Sequence, residues 1–325
     1  MNKTKTIALS FLLNLVPASH LLAYHQKQHV IKRKIGLSEF ISSPEYIGKY
    51  ILMAAIGVIA FFILKSGKMN KPLKSALLLL SLILFGLAGN ILPFLELHPT
   101  PVCVVTKPVH LGLRAPFLIY MILIAGLTLL GPKLYCGWVC PVGAVQELIS
   151  MVTDRFKIPA KNFSFRLSNS VRVAILAIFI VLSAAAFLGG NAGGSSPAAS
   201  FYGYFNPFYG MDLGSQPDML EYAIRYLPLI ITVILALFLY RPFCHFVCPV
   251  GLLTNMLEQG AAFRISLNRR KCTSCTLCLS RSPCKALPYI LNGYRYRADC
   301  FACNRCLEEC RKDALMVSNK KTIGR

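Results

Sequence analysis

The chain has 325 residues, 55% of them hydrophobic and only 15% charged, too little polar surface to cover a water-soluble globule of this size. Its formal net charge of +22 would suit a nucleic-acid binder if the basic residues formed a patch on a polar domain. They gather instead beside apolar runs, as positive-inside topology and contact with anionic lipid require, so the expected partner is the lipid bilayer and no nucleic acid.

Residues 1–47 form an N-terminal segment that is not assigned to either side of the membrane. Lys3 and Lys5 precede an apolar stretch ending near Ala23, as in a secretory signal peptide, but Leu21 makes a poor cleavage context. Residues 48–265 read as an all-α polytopic transmembrane domain. About 20 apolar residues cross the hydrocarbon core, and the runs 50–64, 75–95, 115–135, 171–190 and 225–243 are the candidates, the first shortened by snorkelling Lys49 and Lys65.

Lys65, Lys68, Lys71 and Lys74 precede the second run, Arg155, Lys157, Lys161, Arg166 and Arg172 lie between the third and fourth, and Arg264, Arg269, Arg270 and Lys271 follow the fifth. If every run crosses once, all three sets face the cytoplasm. The other side receives 96–114 and 191–224, the latter rich in aromatics such as Tyr202, Tyr204, Phe205, Phe208 and Tyr209 that suit an interfacial belt. Glu96, His98 and His110 could accept quinol protons there, although ordinary interfacial residues are the simpler reading. Cys103 reads as a small buried hydrophobe.

Two runs end in related motifs, K-L-Y-C-G-W-V-C-P-V-G and R-P-F-C-H-F-V-C-P-V-G, so Cys136 and Cys140 match Cys244 and Cys248 with one offset of 108 (136 to 244, 140 to 248). Lys133 then matches Arg241, and the copies read as an internal repeat. A helical C-x3-C puts both sulfurs on one face, and Pro141 and Pro249 suit the first turn of a following helix. Residues 144–151 and 252–258 are expected to be amphipathic helices lying along the surface. The four thiols read as converging on one additional redox or metal site, with an Fe–S cluster, a single iron or copper ion, or a redox thiol pair all open at this spacing. His245 corresponds to Gly137, which argues against a shared ligand role.

Residues 266–325 carry eight of the thirteen cysteines, between 272 and 310. Such crowding serves metals better than disulfides and points to the reducing cytoplasm. Two C-x2-C-x2-C turns, each with a distant fourth cysteine, are the pattern of a small α+β ferredoxin-like domain with two [4Fe-4S] clusters, in which each fourth cysteine completes the other cluster. Cys272, Cys275, Cys278 and Cys310 are assigned to one cluster, and Cys300, Cys303, Cys306 and Cys284 to the second. Zinc knuckles use separated pairs of C-x2-C instead. Five residues separate Cys278 from Cys284, and Lys285 and Arg311 stand where ferredoxins usually have proline.

With the two C-x3-C-P motifs and the eight-cysteine tail in place, residues 75–315 resemble the NapH-type membrane ferredoxins, a group related to NosR-like regulators. The resemblance implies a quinol dehydrogenase-type subunit in the bacterial inner membrane, passing electrons between the quinone pool and a periplasmic ferredoxin or multihaem cytochrome, as in nitrate or nitrous oxide respiration. It carries Cys136, Cys140, Cys244 and Cys248 as motif residues and the eight tail cysteines as cluster ligands. A second family with C-x3-C-P motifs, the CcoG type, implies the alternative of a copper reductase or assembly factor, in which soft thiolates receive Cu(I).

Overall fold

The computed structural model describes residues 44–88, 95, 99–112, 114–156, 158, 161, 163–188, 201–208, 219–294 and 299–319. Residues 1–43, Glu96, His98 and most of the aromatic-rich segment 191–224 lie outside them. The fold is mostly helical, with one small antiparallel sheet among the described residues.

Helix α1 spans Pro44–Lys65. Helix α2, Lys71–Leu82, starts where the Asn70 side chain accepts the Leu73 N–H at 3.0 Å, with proline in its first turn, and passes into a π-helical turn, Ile83–Leu87. Helix α3, Pro101–Leu111, is capped in the same way by Thr100. Helix α4, Ala115–Leu130, ends at Gly131, whose backbone is extended, with Pro132 next. The expected run to 135 therefore breaks at a Gly-Pro pair that cannot continue a helix.

Helix α5 (Pro141–Arg155) follows the first cysteine motif, and α6 (Phe165–Leu188) and α7 (Met219–Phe238) lead to the second, which contains the short α8 (Pro242–Phe246) and is followed by α9 (Pro249–Leu257).

Among the described residues two helices are long and apolar enough to cross a membrane, α1 from Ile47 and α6. At 1.5 Å per residue, the 24 residues of α6 reach about 36 Å, more than the roughly 30 Å hydrocarbon core. Only 17% of its most apolar window is buried, and Ile178, Ile180, Val181, Phe187 and Leu188 are exposed. An apolar face of that size left uncovered marks a membrane or partner surface. Ala115–Leu130 and Tyr226–Phe238 are apolar but shorter.

Strand β1 (Phe263–Leu267) pairs antiparallel with β2 (Leu315–Asn319), from Phe263 opposite Asn319 to Leu267 opposite Leu315. Between them, among the described residues, lie three short helices, α10 (Leu277–Arg281), α11 (Leu287–Leu291) and α12 (Arg305–Glu308). The sheet is fixed to the end of α1, where Phe263 packs edge-on to Phe61 with ring centroids 5.0 Å apart and the Lys65 ammonium lies 4.5 Å from the Phe263 ring centre.

Candidate metal centres

The two C-x3-C motifs fold alike. Lys133 and Arg241, at matching positions, both adopt left-handed backbone (φ 46° and 50°), a conformation that costs a non-glycine residue about 1–2 kcal/mol. One tight turn follows in each copy, π-helical at Tyr135–Val139 and α-helical at Pro242–Phe246. Cys140 and Cys248 then leave the turn with extended backbone and become the caps of α5 and α9, so the motif is not one continuous helix.

At these caps the Cys140 sulfur receives the Gly143 backbone N–H, and the Cys248 sulfur those of Val250 and Gly251. Helix N-termini favour thiolate over thiol. The leading cysteines are served crosswise. Gln146, in the first copy, donates its side-chain amide to Cys244 Sγ at 3.4 Å, and Thr254, at the matching position of the second, has its hydroxyl in reach of Cys136.

All four motif thiols are buried and lie within electrostatic range of one another. Burial pushes Cys136 and Cys248 up to about 12, which makes them inert neutral thiols unless a metal or the neighbouring cations favour the thiolate. Those cations are built in. Arg241 donates to the Cys136 carbonyl at 2.9 Å, Arg172 to the Cys244 carbonyl at 3.0 Å and Lys133 to the Gly251 carbonyl at 3.0 Å.

Each tail turn carries the same backbone signature. Ser274 and Thr276 in the first, and Ala302 and Asn304 in the second, have positive φ at equivalent positions. Strain of this kind persists at ligand clamps, and alternating left- and right-handed residues turn successive N–H groups into an anion-binding concavity. Around the first turn a cavity of about 200 Å³ is lined by Cys272, Cys275, Cys278 and Cys310. Around the second, Cys284 interacts with Cys300, Cys303 and Cys306, and burial pushes its thiol up to about 12. The first four thus line one cavity and the other four lie within electrostatic reach of one another, and soft thiolates on such turns are the donor set an iron–sulfur cluster uses. Among the described residues no three His, Cys, Asp or Glu side chains are gathered tightly enough to hold a single metal ion.

The second tail turn is plugged into the body of the protein. Phe301, Ala302 and Cys303 belong to the same hydrophobic core as the four motif cysteines. The Trp138 indole N–H donates to the Ala302 carbonyl at 3.1 Å, and the Asn304 amide to the Met69 carbonyl at 3.3 Å. The guanidinium carbon of Arg241 lies 4.6 Å from the Phe301 ring centre. Gly137 makes room for this contact, because a Cβ there would stand 2.2 Å from the Phe301 carbonyl oxygen.

Two buried carboxylates tie the turn down. Asp299 pairs with Lys133, lies 3.2 Å from Arg172 Nη1 and 3.1 Å from His245 Nδ1. His245 is kept neutral by burial and by Lys133, Arg172 and Arg241, and its Nδ1 faces the tail through Asp299. Glu147 accepts from Lys74 at 2.7 Å, Arg305 Nε at 2.8 Å, Tyr240 at 2.8 Å and Arg241 Nε at 3.1 Å. Burial alone would raise this carboxyl, but Lys74, Arg305 and Arg241 outweigh it and hold it well below the ordinary range. Arg305 also pairs with Asp154.

Several expectations change. Helix α5 does not lie along the surface with its polar side outward, since Gln146, Glu147, Ser150 and Thr153 are buried and Val152 is exposed. On α9, likewise, Thr254 and Asn255 are buried while Leu253 and Met256 face outward. Lys74 and Arg172 are buried ion-pair partners and not loop charges. His110 lies 3.1 Å from the Ser183 hydroxyl and stacks on Phe187, and Cys103 is buried, as expected, beside Thr100. Asp299, Glu147, Arg172, Arg305, Gln146 and Thr254 are the site residues that sequence reasoning missed. A signal for the docking turn was present: Phe-Ala and Asn-Arg fill its intervals, where the first turn has Thr-Ser and Thr-Leu.

A family model described as a 4Fe-4S binding domain matches residues 113–159 and 224–270, one copy around each C-x3-C motif. The ferredoxin-type protein NapH of Escherichia coli is 24% identical over 60% of this chain and 65% of its own length. The putative electron transport protein YccM of the same organism is 23% identical over 61% of this chain and 54% of its own. The regulatory protein NosR of Stutzerimonas stutzeri is 24% identical over 58% of this chain and 25% of its own. The chain therefore spans less than two thirds of the length of each of these relatives. No solved structure matches it.

Proposed function

We propose that this NapH/NosR-related iron–sulfur electron-transfer protein is an integral protein of the bacterial inner membrane and works as a quinol dehydrogenase-type subunit, linking the quinone pool or a cytoplasmic donor to a periplasmic reductase system. In this reading Cys272, Cys275, Cys278 and Cys310 hold one [4Fe-4S] cluster, Cys300, Cys303, Cys306 and Cys284 hold a second, and Cys136, Cys140, Cys244 and Cys248 hold a further iron–sulfur centre. The observation that carries it is the docking of the 299–306 turn between the two C-x3-C motifs, which puts Cys303 and the four motif thiols in one buried core. Iron–sulfur clusters supply one-electron oxidation and reduction.

The chain's own residues set the conditions. Lys133, Arg172 and Arg241 offset the negative charge that thiolates bring into a buried site, which would otherwise be costly. The α5 and α9 N-termini, Gln146 and Thr254 donate to the four sulfurs, and such hydrogen bonds raise or lower a centre's potential. Phe301 and Trp138 exclude water. The eight tail cysteines, with the motif thiols next to the tail, suit a cytoplasmic side, and the basic segments 65–74 and 264–271 agree with it.

The test is anaerobic reduction in lipid nanodiscs by a menaquinol or ubiquinol analogue, followed by iron–sulfur absorbance and EPR. Bleaching of the visible absorbance with a reduced-cluster EPR signal is expected. A protein that dithionite reduces and no quinol analogue does would sink the quinol-linked reading.

A further inference from the structure

The two tail turns differ in what surrounds them. The second is covered: Cys300, Cys303 and Cys306 are buried and the residues between them grip the body. The first faces water, with Cys275 exposed and Cys272, Cys278 and Cys310 half-buried around their cavity.

Arg311 and Lys312 stand on the rim of that cavity, and the Arg311 guanidinium acts electrostatically on the Cys275 thiol. Exposed Arg269, Arg270 and Lys271 lead directly into the first cysteine, and exposed Arg281 ends the helix that carries Cys278. The carboxylates of this face are fewer. Glu309 lines the cavity 3.5 Å from Arg281, Glu308 accepts the Asn304 amide at 2.9 Å, and Asp313 is exposed. Six cations against three carboxylates leave a positive field around the only tail cysteine site with an exposed thiol among the described residues.

We propose that this face is the docking site of an acidic, soluble one-electron carrier protein. This rests on reading the tail cysteines as redox sites. A carrier must bring its own centre close to one of the chain's, and the first turn is the exposed one. A positive rim steers a negatively charged partner onto that spot and weakens with salt. The cations ring a redox-site lip and not the end of a spanning helix, which favours a protein over lipid headgroups.

The test immobilises the full chain in phosphatidylcholine nanodiscs and titrates it with flavodoxin, an acidic carrier, and with cytochrome c, a basic one, at low and high salt. Wild type is compared with an Arg270→Glu, Lys271→Glu, Arg311→Glu, Lys312→Glu variant and with a Lys68→Glu, Lys71→Glu control, two cations that do not line the cavity. Flavodoxin should bind wild type and the control alike, at least tenfold more weakly to the four-site variant, with binding lost at high salt; cytochrome c should prefer the variant. Equal flavodoxin affinity for wild type and variant overturns the proposal, as does equal weakening in the control. So does an unchanged flavodoxin affinity with loss only of co-purified phosphatidylglycerol in native mass spectrometry, which would make the patch a lipid contact. Iron content of the same samples separates the two readings: protein without iron fails the redox reading, whereas unchanged flavodoxin affinity fails the docking proposal.

Discussion

Replacing Glu147 by glutamine removes one charge from the most heavily used buried group. Its two oxygens serve Lys74, Arg305, Arg241 and Tyr240, and its side chain is fully inaccessible. Removing one partner of a buried ion pair costs about 3–5 kcal/mol, because the stranded charge stays buried. Here three cations lose their shared counter-ion, so the upper part of that range is expected, or a fall in apparent Tm on the order of 10 °C.

The pH dependence has a definite sign. A carboxyl held below its unfolded value contributes stability that is complete above the unfolded pKa, about 4.3 for Glu, and lost as pH falls through the folded value. The gap between wild type and Glu147→Gln should therefore be constant from neutral pH down to about pH 5 and close under more acid conditions. Thermal unfolding in detergent, followed by circular dichroism at several pH values, measures it. A double-mutant cycle with Arg305→Met should give a coupling above about 1 kcal/mol, since the two groups share one network. A Tm change below 2 °C, or a gap that ignores pH, would refute the shared counter-ion.

Gly137→Ala should push the Phe301 carbonyl away and loosen the tail, at a cost of about 1–3 kcal/mol, seen as faster proteolytic release of residues after 260; Gly126→Ala, where a Cβ meets nothing within 4 Å, should be neutral or stabilising. Asp299→Asn leaves Lys133 and Arg172 without their buried carboxylate and should also speed tail release, and changing His245 to Gln should do much less because the ring is already neutral. Cys275→Ser should remove one cluster's iron and leave the melting of the body unchanged, whereas Cys303→Ser should lower both iron content and Tm.

The two C-x2-C-x2-C turns were legible because ligand spacing on a short chain segment is a local property. The repeat was legible for the same reason, being a match of Lys133, Cys136 and Cys140 with Arg241, Cys244 and Cys248. The helix breaks were partly readable: Gly131-Pro132 announces the end of α4, but an apolar run to 135 overrode it.

The carboxylate hubs were not legible, since Lys74, Glu147 and Arg305 meet across large sequence separations that a single sequence does not link. Lys74 and Arg172 look like topology-setting charges in sequence, and only packing turns them inward. The inverted face of α5 has the same origin. The amphipathic rule assumes an apolar interior, but α5 faces a tail turn that brings Arg305 and a thiol site that recruits Gln146, so its polar side is its buried side.

The most direct measurement of the central claim is iron and acid-labile sulfide content, with EPR, on anaerobically purified wild type and a Cys140→Ser, Cys248→Ser double variant. With three cluster sites, wild type should hold clearly more than the about eight irons of two tail cubanes, and the variant should fall to about eight. About eight in both proteins would contradict an iron–sulfur centre on the four motif thiols.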